Sequence, residues 1–401
     1  MTTAEATKTT APEAGTEQHG LKAHSDGDWA NRVPVQTRSE RPTSTDVADF
    51  AEVTGREAVW KYTPVAKLGA LLNGELDGSR IPVTVPAVAG ATSEWIARDD
   101  ARIGRAGVPE ERGAAAAWSA FSEAHLVTIS GEEHVTAIVR RDALDAAPRA
   151  AHTVVEATPH SRGLVILENT GSAQLSENVE IVVGDGAQLT LVSVQQWNDD
   201  AIHLSSHYAT VGRDASFVHI VVSLGGGIVR LNPSIHLDHE GANGEAFGAY
   251  FADAGQHLEH QVYMDHNAPH TRSRVTYKGA LQGEGAHTVW IGDVLIRQNA
   301  NGTDSYEQNR NLVLTPGTRA DSIPNLEIET GDIEGAGHAS ATGRFDDEHL
   351  FYLQSRGISE EEARKLVVRG FLLEVINQIG DDATEERLQA AIEAELAEST
   401  K

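Results

Sequence analysis

The sequence predicts a mostly β chain with helical ends, its centre wound as a parallel β-helix, or solenoid. Three observations carry this. From about residue 125 to 335, short β-branched or alternating runs follow one another, punctuated by Gly, Asn and Asp. No amphipathic helix of ordinary length interrupts them. A turn-then-strand unit also recurs: "VGDGAQLTLVSV" from Val183 and "VGRDASFVHIVV" from Val211 share Val-Gly-x-x-Ala ahead of an alternating strand. "NGEAFGAYF", "GEGAHTVWI" and "GTRADSIPNLEI" are looser copies at irregular intervals of roughly 30 to 40 residues. So long a run of strands fits a sandwich pair, a propeller or a solenoid. The recurring unit favours stacked coils, each burying its inward residues against its neighbours. Ordinary β-turn chemistry recurring by chance is the alternative.

The elements follow in order. Residues 1–45 lack periodicity and hold one aromatic residue, Trp29, so a disordered N-terminal tail is expected. Residues 46–125 read as an N-terminal helical region. "DVADFAEVTGREAVWKYTPVAKLGALL" has apolar spacing near 3.6, broken at Gly55 and Pro64, and "EERGAAAAWSAFSEAH" is an alanine-rich helix. "IPVTVP" between them is at most an edge strand. Residues 126–337 form the predicted β-helix core, with strands at "HLVTIS", "VTAIV", "GLVILEN", "VEIVV", "QLTLVSV", "FVHIVVSL", "QVYMDH", "HTVWIGDVLI" and "NLVLT". Residues 338–401 form a C-terminal helical region. Asp346 caps "DEHLFYLQSR", which stops at Gly357, and Ser359 with Glu362 makes a capping box for the next helix. Ala363, Val367, Phe371 and Val375 give that helix an apolar stripe, widened by Leu366, Leu373 and Ile376. Gly380 closes it, and Leu388, Ile392 and Leu396 line a last helix.

Composition excludes several functions. The formal charge is -27, with 59 acidic against 32 basic residues. Such a field repels phosphate backbones and anionic lipid, so neither nucleic acid nor a membrane surface is an expected partner. No apolar run nears the roughly 20 residues that span a bilayer. The opening "MTTAEATKTTAPEAGTEQHG" lacks a basic start with an apolar core, so a cytoplasmic protein is expected. There is no cysteine, hence no thiolate nucleophile, thiolate metal ligand or persulfide. No lysine follows a glycine, so the phosphate-cradling Gly-Lys-Ser/Thr loop is missing, as is the Gly-x-Ser-x-Gly elbow.

Three groups remain as candidates for chemistry. "HLEHQVYMDHNAPHTRS" gathers His257, His260, His266 and His270 beside Glu259 and Asp265, residue types that suit zinc or iron(II). On a strand, however, His257 and His260 face opposite ways, and Pro269 interrupts the run, so no preformed shell is implied. Arg272, Arg274 and Lys278 read as alternating charges on a solvated strand face. His338, in "GDIEGAGHAS", sits in what reads as a glycine-rich strand-to-helix joint. Its glycine neighbours leave the imidazole open to iron or to a proton.

The run "HASATGRFDDEHLFYLQSRGISEEEARKLVVRGFL" resembles the C-terminal signature of the SufB/SufD family of iron–sulfur cluster assembly proteins, most specifically in "LFYLQSRGISEEEA", residues 350 to 363. "MDHNAPHTRS" followed by "YKG", and "TDSYEQNRNLVLTPGTRADSIPNLEIE", are similar to the family's later coils, and "REAVWKYTPVAKL" to the helical start of SufD members. The resemblance implies a right-handed parallel β-helix flanked by N- and C-terminal helical regions. It implies pairing with SufB through the β-helix and binding of a SufC-type ATPase through the C-terminal helices, at Leu350, Phe351, Tyr352, Arg356 and Gly357. Nucleotide hydrolysis would then belong to the partner, and this chain would be a scaffold and not an enzyme. SufB carries a cysteine two residues before the histidine matching His338. Here that position is Ala336, which implies a SufD-like member. His338 is then a candidate iron or cluster contact at the SufB interface, although its neighbours, Ala339-Ser340-Ala341, depart from the family's His-Gly-Ala-Thr or His-Glu-Ala-Thr. No cofactor is expected on the isolated chain, only a cluster passing transiently through the interface. The competing expectations are a β-helix carbohydrate-active enzyme and a homodimer holding iron through the 257–270 histidines.

Overall fold

The computed structural model describes residues 41–142, 144–344 and 347–398. Seventeen strands follow in chain order: β1 (Ala91–Ala97), β2 (Glu123–Ile129), β3 (His134–Arg141), β4 (Pro148–Ala157), β5 (Arg162–Gly171), β6 (Gln174–Val183), β7 (Gln188–Trp197), β8 (Ile202–Val211), β9 (Ser216–Ser223), β10 (Ile228–Leu237), β11 (Asn243–Ala252), β12 (His257–His266), β13 (Arg272–Leu281), β14 (His287–Ile296), β15 (Thr303–Val313), β16 (Arg319–Ile328) and β17 (Ile333–Arg344). Helices α1 (Gly69–Asn73) and α2 (Arg112–Ala120) precede the main run of strands, and α3 (Asp347–Gln354), α4 (Glu360–Ile376) and α5 (Asp382–Glu398) follow it.

The chain alternates between two sheets. One has nine strands in the order β1-β2-β4-β6-β8-β10-β12-β14-β16, the other eight in the order β17-β15-β13-β11-β9-β7-β5-β3. Every pairing after the antiparallel β1–β2 pair is parallel, giving a β-solenoid of about eight turns. The offset between paired residues runs from 26 (Ile202 beside Ile228) to 32 (His287 beside Arg319). That is shorter and more regular than the interval expected from the recurring turns. The reason is that those turns open strands of both sheets: β7, β9 and β11 on one, β14 and β16 on the other.

Burial explains why the strands rarely alternate cleanly. In β5, Val165 and Leu167 point into the solenoid with Leu189, Leu191 and Phe217. Leu164 and Ile166 point out, under Leu372, Val375 and Leu388 of α4 and α5. A strand covered on both faces reads as a continuous apolar run. The outer face of the nine-stranded sheet is covered in turn by the N-terminal segment. Trp60, Leu71 and Leu72 sit against Leu204 and Ile228, and Trp118 and Phe121 against Leu126 and Val154. Inside, large rings need glycine opposite them: a Cβ on Gly248 would lie 2.1 Å from the Tyr277 ring, and one on Gly279 1.9 Å from the Tyr250 ring.

Several expectations change. The N-terminal region is mostly irregular, with α1 only five residues long and α2 nine, because Gly55 and Pro64 end each helical start and β2 takes the residues after Ser122. What holds it is a set of buried charges. Arg230 of β10 pairs with Glu111 at 2.5 Å and Glu259 at 3.1 Å, and its guanidinium lies 3.8 Å over the Trp60 ring. "IPVTVP" contributes one antiparallel bridge, Thr84 to Arg140. The disordered tail expected over 1–45 falls outside the described residues up to residue 40. Arg41 is fixed, by ion pairs to Glu110 at 2.7 Å and Asp293 at 3.0 Å. The cap expected at Asp346 is likewise outside the described residues. The β-helix extends seven residues past its expected end at 337, to Arg344. The apolar stripe of α4 is centred on Ala363, Val368, Leu372 and Val375, with Val367 and Phe371 at its margin. The Ser359 side chain accepts from the Glu362 amide as the capping box requires.

Candidate functional site

The two sheets end together. No described strand pairs with the outer edge of β16 or of β17. At the opposite end the edges are covered: β1 closes β2 antiparallel, and Thr84 and Arg140 exchange backbone hydrogen bonds of 3.0 and 2.9 Å beside β3. Among the described residues the solenoid is therefore open at one end, where two rows of backbone donors and acceptors face outward.

The interior changes character as it approaches this end. The inward residues of β15 are Thr303, Ser305, Glu307, Asn309 and Asn311, all buried and all polar. Asn309 donates to the Tyr250 hydroxyl at 2.8 Å, and Asn311 donates to Ser322 at 2.9 Å and to Thr342 at 3.3 Å. A hydrogen-bonded layer thus separates the apolar core from solvent and ties β15, β16 and β17 together.

Glu307 stands apart in that layer. It is fully buried, and neither carboxyl oxygen closes a hydrogen bond. Burial, reinforced by the charge of Asp293, pushes its carboxyl up to about 8, against a smaller opposing effect of the nearby Asn325 backbone N–H. At pH 7 this favours the neutral form. His338 of β17 is its in-register partner, so the two side chains lie on the same side of the sheet. His338 is exposed, and Ala336 packs against the margin of the core. His338 is therefore on the last, open strand and not in a strand-to-helix joint: small residues before and after it let β17 continue.

Beyond β17 the helices present a second surface. Phe351 is 73% and Tyr352 55% exposed, the largest exposures among the big apolar residues described. Leu350 is buried beneath them, Arg356 stacks 4.5 Å from the Tyr352 ring, and Gly357, at φ +86°, supplies the left-handed turn after α3. Lys278 is not on a solvated face as expected. It is buried, pairs with Glu374 and lies 4.8 Å from the Phe371 ring, so it fastens α4 to β13. Arg387 of α5 reaches Glu168 at 2.5 Å. Arg272 and Arg274 pair with Glu245 and Asp304.

The histidine run is dispersed. His257 points outward to Glu259 and His287, His260 stacks inside on Tyr250, His266 bonds Thr271 and Ser273, and His270 occupies a turn at φ +56°. Among the described residues no three His, Asp or Glu side chains are arranged to hold a metal ion. Glu307 was the functional candidate missed from the sequence. Its signal is present in "TDSYEQNRN", where every second residue is polar on a strand whose neighbours bury theirs.

Residues 139–371 match the SUF system FeS cluster assembly, SufBD core domain, which is more than half of the chain. The chain belongs to the SufBD family. An iron–sulfur cluster assembly SufBD family protein of Mycobacterium bovis is 46% identical over 379 residues, covering 92% of this chain and 96% of its own. One from Mycobacterium leprae is 45% identical over 364 residues, covering 88% and 93%. A second SufBD family protein of Mycobacterium leprae is 30% identical over 201 residues, half of this chain but 23% of that protein. The SufBD core match runs from β3 into α4, so it includes the open end, His338 and the exposed face of α3. No described helix is long and apolar enough to cross a membrane.

Proposed function

We propose that this SufBD protein is the SufD-type scaffold subunit of a cytoplasmic SUF complex, with the iron–sulfur cluster as its cargo. The observation that carries the reading is the pair of unpaired strand edges at one end of the solenoid, with His338 on the outermost strand. A SufB-type solenoid adding its own last strands there would satisfy both rows of backbone groups at once. His338 would then face the partner across the seam. The alanine at 336 leaves sulfur chemistry to the partner, and the imidazole supplies a nitrogen ligand to iron. Without that partner, a second copy of this chain would meet the same edges.

A SufC-type ATPase would seat on α3 and α4, through Phe351 and Tyr352, with Leu350, Arg356 and Gly357 shaping the patch. The route from that patch to the seam is short. Leu372, Val375 and Ile376 of α4 pack on Ala249, Phe251 and Ala280 of β11 and β13, which lie in the same sheet as β15 and β17. Closure of two ATPase subunits would pull on α4, shift the outer strands and open the buried layer around His338 and Glu307.

Co-expression with SufB- and SufC-type partners tests this. Wild type is expected to copurify with both, and His338→Ala to assemble the same complex with less cluster. Failure to copurify would end the scaffold reading; unchanged cluster content would remove His338 alone from it.

A further inference from the structure

We infer that His257 and His287 form a binding site for a divalent metal ion on the outer face of the nine-stranded sheet, remote in role from His338. The two residues are in-register neighbours on β12 and β14. Their Nδ1 atoms face each other at 3.1 Å, with the rings inclined at 70°.

The tautomers decide what this contact is. His257 Nε2 lies 2.9 Å from Glu259 Oε2, which also accepts from the Thr63 hydroxyl at 2.8 Å, while Glu259 Oε1 accepts from Arg230 at 3.1 Å and Gln261 at 2.6 Å. Surrounded by donors, Glu259 can only accept, so His257 Nε2 carries the hydrogen. His287 Nε2 lies 2.8 Å from Asp321 Oδ2, which also takes the Arg319 Nε–H at 2.7 Å, so His287 Nε2 carries its hydrogen too. With the hydrogen on Nε2 of each ring, both Nδ1 atoms present lone pairs to the same gap, 3.1 Å across. Two facing lone pairs at that distance repel unless a cation, a proton or a metal ion, is held by both.

The arrangement has the form of a metal site. Each imidazole is oriented by a carboxylate on its far nitrogen, as metal-bound histidines usually are. With metal–nitrogen bonds of about 2.0–2.1 Å, a 3.1 Å separation subtends about 98°, between octahedral and tetrahedral angles. Two imidazoles suit zinc or iron(II) and leave the remaining positions to water or to a delivered ligand. His257 and His287 side chains are 6% and 18% exposed, so the site is sheltered but reachable. The chain supplies two ligands, one from each of two adjacent coils.

Titration of the purified full-length chain with cobalt(II), followed by its visible absorption and then by displacement with zinc(II), tests the assignment. One ion per chain is expected. His287→Gln should weaken binding at least tenfold, and Asp321→Asn, which touches no metal, by about tenfold to a hundredfold. Asp321→Asn keeps the test valid if loss of the ring perturbs folding, and far-UV circular dichroism checks both variants. His338→Ala should bind as wild type, so the result is independent of the scaffold reading. No cobalt binding, or binding unchanged in both variants, would overturn the inference and assign a proton shared between the rings.

Discussion

Glu307→Gln should stabilise the isolated chain, and by an amount that grows with pH. The carboxyl is pushed up to about 8 in the folded protein, by burial and then by Asp293, against an ordinary value of 4.5 in the unfolded chain. A raised value means that folding takes up a proton as pH passes between the two. The contribution is fully favourable below about 4.5 and is lost as pH rises through about 8. Each pH unit in that window is worth about 1.4 kcal/mol, so the total loss is on the order of 5 kcal/mol, and about 3 kcal/mol of it has accrued by pH 7. Glutamine has nearly the same shape and cannot ionise. Urea denaturation of both proteins at pH 5, 6, 7 and 8.5 should show a midpoint difference near its smallest at pH 5 and largest at pH 8.5. A pH-independent difference, or a wild type favoured at high pH, would refute the claim that this carboxyl sits uncompensated in the outer layer.

Other perturbations test separate parts of the structure. Arg230→Met removes the cation shared by Glu111 and Glu259 and should cost about 3–5 kcal/mol, read as a lower denaturation midpoint and protease cleavage within residues 41–120. Gly248→Ala places a methyl 2.1 Å from the Tyr277 ring, so overpacking should destabilise by at least about 1–3 kcal/mol by thermal or chemical denaturation. Leu388→Ala, under the eight-stranded sheet, should cost about 2–5 kcal/mol and increase amide exchange across α5. Phe351→Ser with Tyr352→Ser should change stability by less than about 0.5 kcal/mol while abolishing capture of a SufC-type ATPase in a pull-down.

The solenoid was legible because Gly, Asn and Asp punctuate its short strands and because helices are missing over its length. The coil length was less so, since Val183, Val211 and the later turns open strands of different sheets. The helix-covered sheet hid its alternation: Leu164 to Leu167 give no hint of which residue faces in, because both faces are buried. The capping box at Ser359 was readable from four residues, as local chemistry fixes it. The irregular N-terminal segment was not, because its conformation is set by Arg230, Glu259 and Asp293, which lie far along the chain. At the candidate site, His338 was found by residue type and resemblance. Its place on a strand depended on whether "GAGHASATG" could continue a sheet despite its poor intrinsic strand preference, and pairing with β15 decided that. The His257–His287 contact joins positions 30 apart, one full coil, and becomes visible only once the register is known.

The bare rims of β16 and β17 have a consequence for supply. Chains made in excess of whatever caps them would offer one another a ready template, and the small, charge-poor residues of β17 provide little to discourage it. If another subunit caps these rims, a cell would do best to synthesise the two in step, and overproduction of this chain alone should yield paired or insoluble material in place of free monomer.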